Sequence, residues 1–153
     1  MHILNSIEII VAIFVVMPFI TLIHEIGHAC FSKLFGCSLK RIVLGKGKRL
    51  LKLGFLEVNT IYFYFGYFES DYMPDTKFGN VMVLLGGIIF NLVSASFALL
   101  IFASNYAVEI NWILRIFIVF SIYIIIAALL PISYGGCNSD GKQIYQMIKY
   151  GKS

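Results

Sequence analysis

His24-Glu25-Ile26-Gly27-His28, HEIGH in one-letter code, is the stretch on which the reading of this chain turns. On a helix, positions i and i+4 share a face, so both imidazoles can reach one metal ion. Glu25 stands beside them, where it can take a proton from the water that such a metal activates. The setting narrows the reading further. HEIGH closes an apolar run, IIVAIFVVMPFITLI, that is far too hydrophobic for the surface of a soluble domain.

The composition says the same of the whole chain. Of 153 residues, 59% are hydrophobic and only 13% charged, and the mean hydropathy is +0.88. A soluble domain is about a quarter charged, so this is expected to be an integral, multi-pass membrane protein. The net charge of +4 does not point to nucleic acid. Cys30, Cys37 and Cys137 are odd in number and irregularly spaced, which is not a disulfide framework. Cys30 and Cys37 read as small apolar residues near a helix end, with metal ligation as the alternative. The N-terminus lacks a basic region and a small-residue cleavage site, so the first apolar run is read as a retained span.

Three membrane spans are expected, at about 5–35, 81–103 and 112–131. Span one is longer than the roughly 20 residues needed to cross, which leaves HEIGH in its last turns, still at membrane depth. Pro18 is expected to kink it and Gly36 to cap it. The loop 37–79 carries short β-branched and aromatic runs, which predict strands, the best at 58–68. Two uses stay open for it: an edge that pairs with an extended peptide, or a hairpin that seals the protein at the interface. Span two presents Gly87, Asn91, Ser94 or Ala95, and Ala98 at helical spacing, a face for close helix packing. The Asn91 amide lies mid-helix and needs a partner. Span three has Trp112 and Arg115 at its start and Pro131 at its end. The tail 132–153 contains an Asp-Gly turn and a short amphipathic helix. The chain is expected to be one unit over 1–153.

Charge sets the expected sidedness. Of 12 Lys and Arg residues, 8 lie in 33–77 and 3 in the tail, with Arg115 alone at the other end. The positive-inside rule then puts the N-terminus outside and the C-terminus in the cytosol. A catalytic zinc needs three protein ligands and one open position. The chain has three histidines, and His2 falls at the wrong face. The third ligand is therefore a carboxylate or thiolate. Glu8 and Glu109 are on the wrong side, while Glu57, Glu69, Asp71 and Asp75 sit in the loop. Asp140 is the best candidate, because it follows span three at the same face as His28 and its Asp-Gly turn can aim a side chain back.

With these elements in this order, the chain resembles the site-2 protease family of intramembrane zinc metalloproteases over nearly its whole length. The resemblance implies a core of three transmembrane helices with a small membrane-associated β region between helices 1 and 2. It implies one Zn2+ held by His24, His28 and Asp140, with Glu25 as general base. Gly87-Ile-Ile-Phe-Asn91 is similar to the family's motif on its second core helix, where Asn91 would hold substrate or support the oxyanion. The implied activity is cleavage of a peptide bond in a membrane-spanning or membrane-associated protein or peptide. The implied partners are that substrate and the lipid bilayer, without nucleic acid; a regulatory partner or a homo-oligomer stays open. The expected setting is the cell membrane of a prokaryote. Three departures stand out: Ala128 where the family has Asn, Ser139 where it often has Leu, and a longer interval from Pro131 to Asp140. The rival readings are a non-catalytic scaffold or chaperone of this fold and a metal transporter. The first would be marked by a lost Glu or ligand, the second by polar residues along a whole pathway, and neither mark is present.

Overall fold

The first helix carries its buried face at four-residue intervals: Ala12, Val16, Ile20, His24, His28 and Ser32 are all buried. The apolar half of this stripe packs on Ile116, and HEIGH continues the same stripe downward. This computed structural model describes residues 5–104, 111–134 and 136–151. His2 and Glu109 lie outside the described residues.

Helix α1 runs Ser6–Leu34. It starts on a reciprocal cap in which Asn5 and Glu8 satisfy each other's backbone amides. It ends where expected. Gly36, at φ +82°, lets the amides of Gly36 and Cys37 bond back to the carbonyls of Lys33 and Ser32. The irregularity expected at Pro18 falls one turn earlier, as a π-helical stretch at Ala12–Val16. Proline has no amide and its ring crowds the carbonyl four residues back, here Phe14; the wider turn makes that room.

Helix α2 runs Lys77–Ala103 and α3 runs Asn111–Leu129. The first begins four residues before the apolar run at 81, because Thr76 caps it by accepting from the Gly79 amide. α1, α2 and α3 are each long and apolar enough to cross a membrane. Side chains such as Phe14, Phe19, Phe97, Leu100, Val119 and Ile126 stand exposed on their outer faces. α1 and α2 meet through glycines. A Cβ on Gly27 would strike the Gly86 carbonyl, and one on Gly86 would strike that of Gly27. Backbones can approach this closely only where both helices lack side chains.

Between α1 and α2 lie two strands, β1 (Leu39–Leu53) and β2 (Leu56–Ser70), forming an antiparallel sheet. They are longer than the expected 58–68 strand, and the sheet folds back on itself. Ile42, Val43 and Leu44 each have two partners: Phe68, Tyr67 and Gly66 on one side, Leu56, Glu57 and Val58 on the other. The bend follows from Gly45 and Gly47, both at positive φ (+84° and +97°), a conformation that side chains resist. Ion pairs hold the fold-back. Glu57 meets Lys52 at 3.2 Å and Arg41 at 3.3 Å, and Glu69 meets Lys40 at 2.5 Å and Arg41 at 2.6 Å. The Lys52 ammonium holds the Glu57 carboxyl below its ordinary 4.5, and Lys40 with Arg41 does the same for Glu69.

The sheet lies along α1. Phe68 stacks on His28 with ring centres 5.4 Å apart, and Phe63 meets Phe14 at 4.8 Å. Phe14 precedes His24 by ten residues, about 15 Å along a helix. The aromatic strand therefore runs beside the span rather than resting only at its end.

After α3 the chain forms a two-residue ladder, β3 (Ser133–Tyr134) with β4 (Cys137–Asn138), and then α4 (Asp140–Tyr150). The small ladder absorbs the long Pro131-to-Asp140 interval. Ser139 closes it: its hydroxyl donates to the Leu130 carbonyl at 2.5 Å and caps α4 by accepting from the Lys142 amide at 3.2 Å.

Candidate metal centre

His24 and His28 leave α1 on one face, as the spacing requires. Their rings sit edge to face, 4.6 Å between centres. The other half of the centre arrives from the far end of the chain. Asp140 is the first residue of α4, and its Oδ2 lies 3.1 Å from His24 Nε2 and 3.5 Å from His28 Nε2. The ligand atoms of His24, His28 and Asp140 all lie within 4.8 Å of one another. Burial pushes the Asp140 carboxyl up, but hydrogen bonds to His24 and His28 outweigh it and hold it down at about 2. It is a carboxylate at neutral pH, as a ligand must be.

The Asp-Gly pair does not form the turn expected for it. Asp140 and Gly141 are already helical, and Ser139 makes the turn. Gly141 serves another purpose: a Cβ there would collide with the Leu129 carbonyl. The glycine lets α4 press against the end of α3, which brings Asp140 to the histidines.

Both imidazoles are held from behind by α2. His28 Nδ1 is 2.7 Å from the Val83 carbonyl oxygen, and His24 Nδ1 is 3.2 Å from the Asn91 side-chain amide. Between those two positions, Gly87 lies flat against the His24 ring, where a Cβ would come within 2.6 Å of Nε2. Val83, Gly87 and Asn91 follow one another at i, i+4 and i+8, one stripe of α2 shaped to hold two rings. Asn91 is fully buried. Its side-chain amide is turned to the His24 ring, the contact through which it joins the centre.

Glu25 points into an open cleft of about 1410 Å³ shared with His24, His28 and Asp140. One wall of the cleft is β2, from Phe63 to Ser70, and the Phe68 backbone amide lies against the Glu25 carboxylate. The tail adds Asn138, Gln143 and Gln146 to the lining beside the apolar Ile132 and Met147, and α3 adds Tyr123 and Ile124. β2 passes directly over Glu25 because residue 66 is glycine. A Cβ there would meet Thr21 Cγ2 at 2.6 Å and Glu25 Oε1 at 3.3 Å. Glu57, Glu69, Asp71 and Asp75 do not join the histidines, and among the described residues the His24, His28 and Asp140 group is the one cluster with metal-binding geometry.

Gly66 and the Val83 carbonyl were not visible as site elements in the sequence, whereas Gly87 was read as part of a packing face and a family motif and Gly141 as half of a turn. A lone glycine inside a strand of aromatics was a usable signal for Gly66, since glycine in a strand interior marks a close approach. A backbone carbonyl leaves no trace in the sequence.

Residues 12–151 match the profile of peptidase family M50, a family of zinc metalloproteases. The chain belongs to that family. It is also 34% identical over 140 residues to a Bacillus subtilis (strain 168) protein described as "Uncharacterized membrane protein YwmF", covering 90% of this chain and 87% of that one. No solved structure matches. Family and helices together make this a multi-pass membrane protein of a protease family.

Proposed function

We propose that this chain is an intramembrane zinc endopeptidase that cleaves a peptide bond of a membrane-spanning or membrane-associated protein or peptide. One observation carries the reading: two imidazole Nε2 atoms and a carboxylate oxygen converge beside Glu25 in a cleft flanked by the aromatic strand. The donor set suits zinc, which takes His nitrogen and carboxylate oxygen and keeps an open position in catalytic sites. Both Nδ1 atoms are turned away toward α2, as metal-binding histidines require. His24, His28 and Asp140 would hold the zinc ion, which when bound would supply an activated water and a Lewis acid for the scissile carbonyl.

Glu25 does the proton transfer. It accepts a proton from the attacking water and returns it to the nitrogen of the leaving amine. The open cleft, with Asn138, Gln143 and Gln146 in its lining, gives water a route to it. The substrate hides its own carbonyls in helical hydrogen bonds and must unwind to be cut. The cleft-facing edge of β2 at 63–70 offers replacement backbone pairing for the extended peptide, next to Glu25. The chain acts as a single core over 1–153 in a prokaryotic cell membrane, with its N-terminus outside and its C-terminus in the cytosol.

The test is Glu25→Gln in protein reconstituted with a membrane peptide. Cleavage is expected to fall by at least about 100-fold, the usual contribution of a general base, while zinc stoichiometry stays at the wild-type value. Cleavage at the wild-type rate would rule the mechanism out.

A further inference from the structure

The His24 ring sits in a slot that fixes more than its position. Asp140 Oδ2 lies 3.1 Å from its Nε2, Gly87 leaves room for its flat face, and the Asn91 amide lies 3.2 Å from its Nδ1. For Nε2 to offer a lone pair to a metal, a neutral imidazole must carry its hydrogen on Nδ1. His28 meets this requirement, because its Nδ1–H donates to the Val83 carbonyl at 2.7 Å. His24 needs an acceptor in the same place. Asn91 has one, since its Oδ1 is fully buried and without a hydrogen-bond partner, while its Nδ2 faces the imidazole. A half-turn of the side-chain amide exchanges the two atoms. Only that orientation gives the His24 Nδ1–H an acceptor.

We propose that Asn91 is a positioning residue whose side-chain oxygen accepts the His24 Nδ1–H and so keeps Nε2 free for the metal. Val83 and Asn91 then do the same work two turns apart on α2, one with a backbone carbonyl and one with a side chain. The side-chain contact of Asn91 is with His24, so its effect on the metal passes through that ring. This inference rests on the metal reading of His24, His28 and Asp140.

Two substitutions pull in opposite directions. Asn91→Asp offers only acceptors, so zinc affinity, measured by competition with a chelator, is expected to equal or exceed the wild type. Asn91→Leu keeps the bulk without an acceptor and is expected to bind zinc about 10- to 100-fold more weakly, the usual cost of losing such a second contact. In zinc-loaded protein labelled with 15N-histidine, the His24 Nδ1 proton is expected downfield and slow to exchange. That signature should persist in Asn91→Asp and be lost in Asn91→Leu. An Asn91→Asp protein that loses zinc would show that the amide N–H is what matters, and would overturn the proposal. Wild-type zinc affinity in Asn91→Leu would overturn it too, leaving the metal centre intact. Wild-type protein that binds no zinc overturns the metal reading together with this one. Should Asn91→Leu fail to fold, the Asp variant and the wild-type Nδ1 proton still decide the question.

Discussion

Gly66 shows how one missing side chain shapes the chemistry. β2 crosses above Glu25 with no Cβ between strand and carboxylate, so the Glu25 side chain and the strand share one space. A side chain at 66 would have to displace Thr21, Glu25 or the strand itself. Gly66→Val is therefore expected to reduce cleavage at least about tenfold, the scale set by misplacing a reacting group by an ångström or less. Zinc content should stay unchanged, because the nearest atoms to a Cβ at 66 belong to Thr21 and Glu25 rather than to His24, His28 or Asp140. Paired measurements of turnover and of bound zinc check this; a joint loss of both would place Gly66 in the folding of the centre instead. Gly87 and Gly141 work by the same rule at other contacts, one admitting the His24 ring and the other seating α4 against α3.

At the scale of elements, the two-stranded sheet carries a charge network that its composition alone does not explain. Glu57 is buried beneath Lys52, Arg41 and Arg49, and Glu69 bridges Lys40 and Arg41. These pairs tie the folded-back register in which Ile42, Val43 and Leu44 lie between two neighbours. Both carboxyls are held below their ordinary 4.5, Glu57 by Lys52 first and Glu69 by Lys40 first. A carboxyl with a lowered folded-state value contributes stability above its unfolded value and loses it as the pH falls through the folded one. The sheet's amide protection is thus expected to be level from pH 7 down to about 4.5 and to decline below that. Hydrogen–deuterium exchange across β1 and β2, corrected for the intrinsic rate, measures it. Glu57→Gln should remove most of the acid-sensitive part of that decline.

For the whole molecule, sidedness is the property on which access of water and substrate depends. Asp140 follows α3 and HEIGH lies in the last turns of α1, so the two ends that build the centre must share one membrane face. The Lys and Arg distribution predicts that this face is the cytosolic one. A fluorescent protein fused after the tail in a bacterial host is expected to fluoresce, and an exported phosphatase fused at the same place to stay inactive. The reverse pattern would turn the protein over and open the cleft to the outside.

HEIGH, the three spans, the β-forming loop and Asp140 were legible in the sequence because each rests on local periodicity, side-chain chemistry or charge bias. Spacing of four brings two histidines to one helix face without help from the rest of the chain. What holds those histidines was decided only by tertiary structure. The Val83 carbonyl, the Asn91 amide and the bare surface of Gly87 reach them from a helix more than fifty residues away in sequence. Asp140 was recognisable as a candidate, but its approach depends on Ser139 closing the small ladder and on Gly141 fitting under the Leu129 carbonyl. The fold-back of the sheet was hidden for the same reason. Which of two neighbours a strand pairs with is set by backbone bends and ion pairs across the sheet, and neither has a period in the sequence.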